Sequence, residues 1–211
     1  MRMMRKELLV VLFLFSMFQT YAQRRLDVPE FYLGASAGAT GSMVMFSPMV
    51  AQDFQTGMNA GAAFRYIGDQ NVGMQMELNF IQYGWQEKGT SNHNRMLNYM
   101  EVPFLTHIYF GRAVRGFINF GPKVDFLLLE NSSDLPSDLQ VQHYRVDNKF
   151  DYGLCGGFGM SVNTRKAGCY QLEARFAYHL GSLFNNKKND YFGASNIMAL
   201  SVNLGWFFRY K

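Results

Sequence analysis

Side chains that could do chemistry are few in this 211-residue sequence. Ser91, His93, Asp134, Ser137 and His143 are of the types used in hydrolase sites, where a histidine accepts the proton of a serine nucleophile. They fall in stretches predicted as loops, and their spacing does not hold a nucleophile, a base and an acid in a defined geometry. We therefore expect no enzymatic activity, and an enzyme stays the alternative.

Neither the histidines nor the cysteines predict a metal or redox site. The four histidines lack metal-ligand spacing, and His107 and His179 are most simply hydrogen-bonding groups inside the fold. Cys155 and Cys169 should lie on adjacent strands of one hairpin, roughly 20 Å apart at ~3.3 Å per residue. A disulfide needs Cα atoms within about 7 Å. We expect free thiols that face inward, and no cofactor.

The strongest chemical signal is a set of nine charged residues in stretches where polar and apolar residues alternate. An alternation with period two places all nine on one face of β-strands. Four are cations and five are anions, so they can neutralise one another if that face is buried. This predicted charge network consists of Arg65, Glu77, Glu101, Lys123, Asp125, Asp151, Glu173, Arg175 and Arg209. We expect a salt-bridge plug; a proton or ion path is the alternative.

Eight alternating stretches position these charges. The predicted strands are residues 31–40, 56–66, 72–82, 98–110, 116–129, 150–163, 169–180 and 196–210. The second, fourth and sixth connections are turns of about five residues, and the other four run to about 15 to 20, an asymmetry typical of bacterial outer-membrane barrels. The long connections are residues 41–55, 83–98, 130–149 and 181–195. Pro103 cannot donate a ladder hydrogen bond, so it predicts a β-bulge in the fourth strand.

The two faces of these strands indicate which side meets lipid. No charged residue falls on the apolar face of the second to eighth strands, and that face carries bulky residues such as Phe64, Phe104 and Trp206. Eight strands enclose room only for side chains or one small ligand, so this bulk cannot fill the interior, as it would in a soluble ligand-carrying barrel. We predict an all-β fold: an eight-stranded antiparallel up-and-down transmembrane β-barrel with a polar, side-chain-filled lumen.

The first 22 residues have the pattern of a secretory signal peptide. Arg2, Arg5 and Lys6 precede an apolar run of eleven residues, and Ala22 is a small residue at the expected cleavage site. Eleven apolar residues are too few for a spanning helix, which needs ~20. The predicted organisation is a signal peptide over 1–22, a periplasmic segment over 23–30 and an outer-membrane barrel over 31–211.

The charge of the chain does not predict binding to nucleic acid. The net charge is +4, and the leader carries three bases and one acid, so about +2 remains after cleavage. No basic patch of the kind used for nucleic acid remains in the mature chain. The partners we expect are outer-membrane lipid, the barrel-assembly machinery and an unidentified surface or periplasmic protein. We expect a monomer.

Several motifs of the mature chain are specific enough for comparison with a known family. The more specific ones are Glu101-Val102-Pro103, Gly121-Pro122 and the FDYG and GGFG segments of the sixth strand. In these motifs, and over essentially the whole mature chain, the sequence resembles the PorT-like outer-membrane β-barrels of Bacteroidetes. The resemblance implies an eight-stranded outer-membrane barrel. The namesake of that family takes part in type IX secretion, so the resemblance also raises a link to secretion.

The end of the chain resembles the signal by which barrel-insertion machinery recognises a last strand. Its residues are Asn203, Gly205, Phe208 and Tyr210, a polar residue and a glycine followed by two alternating aromatics. The chain ends in Lys211 instead of an aromatic residue. The alternative is a closing strand with an ordinary aromatic girdle. Either interpretation predicts that Phe208 and Tyr210 lie near the periplasmic interface.

Three classes of function follow from these features. The leading prediction is a structural or partner-binding barrel, because loops on a rigid scaffold are where binding concentrates. A narrow channel and an outer-membrane enzyme are the alternatives.

Overall fold

The computed structural model describes residues 25–47, 52–87, 93–132, 148–164, 167–181 and 194–210. These residues form eight β-strands, and among them no helix is long and apolar enough to cross a bilayer. The strands are β1 (Arg25–Ser47), β2 (Gln52–Asp69), β3 (Val72–Glu87), β4 (His93–Gly111), β5 (Val114–Ser132), β6 (Phe150–Thr164), β7 (Gly168–His179) and β8 (Ala194–Arg209).

The strands close into an up-and-down antiparallel barrel, as predicted. Each strand pairs with the next one in the sequence, and β8 pairs with β1 from Tyr32 with Arg209 to Ser47 with Ala194. We call the end that holds the β2–β3, β4–β5 and β6–β7 connections the turn end, and the opposite end the loop end. Closure leaves the sheet without an edge, so its backbone groups pair between strands.

The stagger of the strands makes the barrel narrow. A path from partner to partner around the barrel, begun at Glu30, returns to β1 at Thr40, ten residues further along. With ~3.3 Å per residue and ~4.8 Å between strands, this stagger corresponds to a tilt of about 40° and a backbone radius of about 8 Å. The partners on this path are Ile67, Gly73, His107, Asn119, Gly157, Arg175 and Ser201.

The bulky apolar side chains point outward, which confirms the predicted orientation. Phe158 is 70% exposed and Phe104 50% exposed, whereas the interior holds charged residues that are almost fully buried. At the turn end, Tyr170 stacks on Trp206, and the Trp206 ring contacts Phe208 at 3.9 Å between centroids. These rings form part of an aromatic girdle of the kind that lies at a membrane interface.

Several strands are longer than the sequence pattern predicted. β1 begins at Arg25, inside the predicted periplasmic segment, and continues to Ser47, while β2 begins at Gln52. β3 likewise continues to Glu87, and β4 begins at His93. The predictions of long connections over 41–55 and 83–98 are therefore wrong, because paired strand residues extend into both stretches from each side, up to Ser47 and Gln52 and up to Glu87 and His93.

Pro103 does not produce the predicted bulge. Pro103 is opposite Lys123 in an unshifted register, and the register shift between β4 and β5 lies between Asn98 and Tyr99. Gly121 explains the difference, because a Cβ there would lie 1.9 Å from the carbonyl oxygen of Phe104. The glycine lets the two backbones approach closely next to the proline, so the strand does not need the extra residue of a β-bulge.

The two cysteines are free and face inward, as predicted. Cys155 is opposite Ala177 and Cys169 is opposite Asn163, and both thiols are buried. Their ladder positions are eight residues apart, which corresponds to about 26 Å along the strand. This separation is larger than the predicted distance of roughly 20 Å, and it is likewise too long for a disulfide.

A charged side chain on the outer face should destabilise the barrel more, the deeper its position lies in the bilayer. Val202 lies near the middle of the outer face of β8 and is 56% exposed, and Val114 lies at the turn end and is 51% exposed. We expect Val202→Arg to lower the free energy of unfolding in lipid vesicles by about 2–4 kcal/mol, and Val114→Arg by about 0–1 kcal/mol. Equal effects at the two positions in urea titrations would contradict the membrane placement.

Candidate functional site: the interior charge network

The interior of the barrel collects eight of the nine predicted network residues. Each of the eight is at most 7% exposed, although all carry ionisable groups. They are Arg65, Glu77, Glu101, Lys123, Asp125, Asp151, Glu173 and Arg175. Their hydrogen bonds divide them into a lower network nearer the turn end and an upper network nearer the loop end.

The lower network is centred on Arg175, which lies between two carboxylates. Its guanidinium donates two parallel hydrogen bonds of 2.7 Å to Glu77. It also donates to both carboxylate oxygens of Glu173, at 2.9 and 3.2 Å. Gly157 is opposite Arg175, and a Cβ there would lie 2.6 Å from Glu173 Oε1, so the glycine makes room for this arrangement.

Amide side chains connect Arg65 to the same carboxylates. Arg65 donates hydrogen bonds of 2.6 Å to Gln75 and to Gln171. Gln75 in turn donates to Glu77, and Gln171 donates to Glu173 at 3.1 Å. Arg65 also stacks on the ring of Phe207, with its guanidinium carbon 4.1 Å from the centroid. The two arginines and two glutamates of the lower network therefore balance in charge and are bonded on several sides, as buried ions require.

The upper network is centred on the ammonium group of Lys123. Lys123 Nζ lies 2.7 Å from Glu101, 2.8 Å from His179 Nε2 and 3.0 Å from the Tyr83 hydroxyl. It also lies 3.2 Å from Asp125. The Tyr83 hydroxyl donates to Glu101 at 2.8 Å. This one cation thus faces two carboxylates, an imidazole and a phenol in a volume without room for bulk water.

The contacts of His179 define which of its nitrogens carries hydrogen. An ammonium group can only donate, so Nε2 accepts a hydrogen bond from Lys123. Nδ1 lies 2.7 Å from Asp151 Oδ2, so Nδ1 carries the hydrogen and donates to that carboxylate. His179 is therefore a neutral bridge between Lys123 and Asp151. The other oxygen of Asp151 accepts from the backbone N–H groups of Tyr152 and Gly181.

Apolar clusters close the lumen on both sides of the two networks. At the turn end, the interior cluster consists of Tyr32, Ala63, Ile67, Tyr109, Phe117, Cys169 and Phe207. At the loop end it consists of Val44, Ile81, Tyr83, Trp85, Leu97, Tyr99, Ile197 and Ala199. The charged networks are therefore sealed from both mouths of the described barrel by packed side chains.

Arg209 lies outside the network to which the sequence assigned it. Its side chain is 52% exposed, and it forms a 3.0 Å ion pair with Glu30. Glu30 also accepts a hydrogen bond from the Tyr32 hydroxyl. Arg209 is the last residue of β8, so the alternation that points it inward ends at the rim of the barrel, where the side chain meets solvent.

The residues of the predicted assembly signal occupy the last strand. Asn203 faces the lumen and is 7% exposed, while Phe208 and Tyr210 are 45% and 82% exposed on the outside. Recognition of these residues and of Gly205 by insertion machinery stays a prediction. Of the residues considered for hydrolysis, Ser91, Asp134, Ser137 and His143 lie outside the described part of the chain. Only the backbone of His93 is described, in β4.

Sequence reasoning missed part of the upper network. The sequence pattern predicts a connection at Tyr83, although this residue continues the inward alternation of Gln75, Glu77 and Asn79. His179 was expected to be an interior hydrogen-bonding group, but its central position between Lys123 and Asp151 was not predicted. His107, expected in the same role, contacts Asn119 at 2.7 Å, and Asn119 donates to Glu173.

These features define an outer-membrane barrel of eight strands with a closed polar interior. The chain belongs to the outer membrane protein beta-barrel domain family, whose model matches residues 21–185. No curated protein matches the sequence.

Solved structures of outer-membrane barrels resemble the chain in fold. OprG of Pseudomonas aeruginosa has a TM-score of 0.53 and 12% identity, with 85% of this chain and 96% of that chain covered. Ail of Yersinia pestis has a TM-score of 0.46, 14% identity and coverage of 85% and 99%. Neisserial surface protein A has a TM-score of 0.46, 11% identity and coverage of 86% and 100%.

Removal of the central cation of the lower network should be much more costly than removal of the cation at the rim. Arg175→Ala leaves Glu77 and Glu173 buried without their charge partner, so we expect a loss of about 3–5 kcal/mol in the free energy of unfolding. Arg209→Ala removes a half-exposed ion pair, and we expect a change within about 1 kcal/mol. Urea titrations of the two variants in the same vesicles provide the measurement. Similar losses for both variants would show that the interior is not the sealed network described above.

Proposed function

We propose that this protein is a closed outer-membrane barrel that binds a partner at its loop end. The observation that carries the proposal is the sealed lumen, in which two bonded charge networks lie between two apolar clusters. A barrel of this kind has a rigid wall and no wide path for solutes. Its function then resides in what its ends and loops contact.

The small size of a cavity within the described lumen supports a closed barrel over a channel. The cavity between the two networks has a volume of about 10 Å³, which is about the space of one water molecule. Its lining includes Glu77, Glu101 and Arg175, which are already held by hydrogen bonds. A solute path along this axis would require these ion pairs to separate.

Apolar side chains at the loop end support contact with a partner. Gln82 donates a hydrogen bond to Asn98 across the β3–β4 ladder, and Asn98 is opposite Leu129 on β5. We propose that this polar pair marks the level at which the wall leaves the hydrocarbon. Leu129, opposite Asn98, is 64% exposed. An exposed apolar side chain at that level is the kind of surface that a protein partner covers.

The resemblance of the sequence motifs supports a narrower assignment within the family. Glu101-Val102-Pro103 and Gly121-Pro122 resemble segments of PorT-like barrels, and we propose that the protein is one of that group. A link to type IX secretion, insertion by the barrel-assembly machinery through the last strand, and a monomeric state belong to the same proposal. In this proposal the protein has no enzymatic activity of its own.

Photocrosslinking in intact cells tests the proposed partner surface. A photoreactive amino acid at position 129 should form a crosslink to a specific protein, because this residue lies at the loop end. The matched control is position 172, where the native leucine is also on the outer face and 51% exposed but lies within the apolar belt. We expect only lipid adducts at that position, and lipid adducts alone at both positions would overturn the proposal.

Conductance recordings in planar bilayers distinguish a closed barrel from a channel. The folded wild-type protein should give no stable large openings, because the described lumen is filled. Reproducible openings of defined conductance would replace the partner-binding barrel with the channel alternative.

A further inference from the structure

The upper network contains more acids than bases. Glu101, Asp125 and Asp151 are direct partners across the β4–β5 and β5–β6 ladders, so three carboxyl groups stand side by side on the inner face. Like charges directly opposite one another destabilise a sheet. Lys123 supplies one positive charge, and His179 is neutral because its Nε2 accepts from Lys123. With all three acids ionised, the described upper network would set three negative charges against one positive charge, whereas the lower network is balanced.

Two of these three acids have the hydrogen bonds that an ionised carboxylate needs. Glu101 accepts at 2.7 Å from Lys123 and at 2.8 Å from the Tyr83 hydroxyl. Asp151 accepts at 2.7 Å from His179 Nδ1, and its other oxygen accepts from two backbone N–H groups at 2.7 and 3.0 Å. Donors at such distances are typical of charge-assisted hydrogen bonds. Glu101 and Asp151 are therefore ionised.

Asp125, the middle acid, lacks donors of this kind. Its Oδ2 atom is buried and has no hydrogen bond within the described part of the chain, although Lys123 Nζ lies 3.2 Å from Oδ2 and 3.3 Å from Oδ1. An ammonium group has three hydrogens, and three shorter contacts of Lys123 already use them. His179 Nδ1 lies 3.8 Å from Asp125 and donates to Asp151 instead. A buried carboxylate with too few donors takes up a proton, because a neutral acid costs less free energy where water is excluded.

We propose that the upper network binds one proton on Asp125 at neutral pH, and that this proton holds the start of the β7–β8 connection in place. The proton removes the middle one of three adjacent negative charges, so Glu101 and Asp151 no longer face a like charge across the ladders. The titratable or charged groups around Asp125 are Tyr83 of β3, Tyr99 and Glu101 of β4, Lys123 of β5, Asp151 of β6 and His179 of β7.

Asp151 connects the protonated acid to the loop end. Its Oδ1 atom accepts a hydrogen bond of 3.0 Å from the N–H group of Gly181, two residues beyond the end of β7. A Cβ on Gly181 would lie 2.1 Å from that oxygen, so the backbone passes close to the carboxylate. Asn196 on β8 donates to the carbonyl groups of His179 and Gly181 at 3.1 and 3.2 Å. An anion at Asp125 repels Asp151, so the contact with Gly181 weakens when the proton leaves, whether or not a partner binds at the loop end.

Infrared spectra of the full mature protein, folded in vesicles of zwitterionic lipid, test the proton directly. An isotope label on the side-chain carboxyl carbon of aspartate separates its bands from those of glutamate. At neutral pH we expect one band of a protonated aspartic acid in the wild type. The band should be absent in Asp125→Asn, where a neutral amide of the same shape replaces the acid. It should remain in the control Asp69→Asn, because Asp69 ends β2 at the turn end. No such band in the wild type, or a band that persists in Asp125→Asn, would overturn the proposal.

The pH dependence of wild-type stability protects the test against a failure of Asp125→Asn to fold. The folded chain keeps a proton that an aspartate of the unfolded chain releases well below neutral pH, so the stability that this proton confers is lost as rising pH removes it. The equilibrium constant for unfolding, from urea titrations in the same vesicles, should rise by up to tenfold per pH unit between about pH 7 and 9. Histidines are largely neutral in the unfolded chain over this range and contribute little. A wild type whose unfolding does not depend on pH here would contradict a bound proton.

The amide signal of Gly181 in NMR spectra tests the connection to the loop end. This signal should shift over the same range of pH in the wild type and in Asp69→Asn, and stay constant in Asp125→Asn. A Gly181 signal that does not move in the wild type would refute the proposed hold on the β7–β8 connection.

Discussion

The pairing of backbone groups in hydrocarbon is the constraint on which this structure depends. No water is available inside a bilayer to bond with an unpaired N–H or C=O group, so a spanning sheet must have no edges. The long pairing of β1 with β8 meets this requirement. The ten-residue stagger that accompanies closure sets the radius at about 8 Å. A cylinder of that radius leaves no room for bulk water around the side chains that point inward.

The charged interior follows from this geometry. Inward residues on opposite walls come within bonding distance, so Arg175 on β7 reaches Glu77 on β3 with two hydrogen bonds. Such bonds connect walls that share no ladder contacts. A buried ion pair is weak evidence for net stability, because desolvation offsets much of the attraction. The buried charges instead fix the register of the strands, because a shift of one strand by one residue would point the inward charges of that strand into lipid.

The faces of the strands could be predicted from the sequence, but the contacts between distant strands could not. The alternation along β7 shows that Gln171, Glu173 and Arg175 share a face, because side chains alternate regularly in any strand. Which residue lies opposite Arg175 across the lumen depends on the positions of β3 and β7 along the barrel axis. These positions follow from the stagger around the whole barrel. Local patterns carry no information about that stagger.

The ends of the elements were also hard to predict. Gly41 and Ser42 after Thr40 are of types common in loops, yet Ser42 and Val44 keep the inward alternation and pair with β8. Pro103 predicts a register shift, but the close approach of the two backbones at Gly121, against the carbonyl group of Phe104, removes the need for one. Arg209 follows the inward alternation and still lies in solvent, because alternation does not show where the barrel wall ends.

Spin-label accessibility along β8 tests the orientation of the two faces most directly. Nitroxide labels are placed singly at residues 196–208, with Cys155 and Cys169 replaced by alanine and the protein folded in vesicles. Labels at even positions should collide readily with oxygen dissolved in lipid, whereas labels at odd positions should be shielded from oxygen and from a water-soluble nickel reagent. High access of the nickel reagent at even positions, with oxygen access at odd ones, would contradict a barrel with apolar residues outside and charges sealed within.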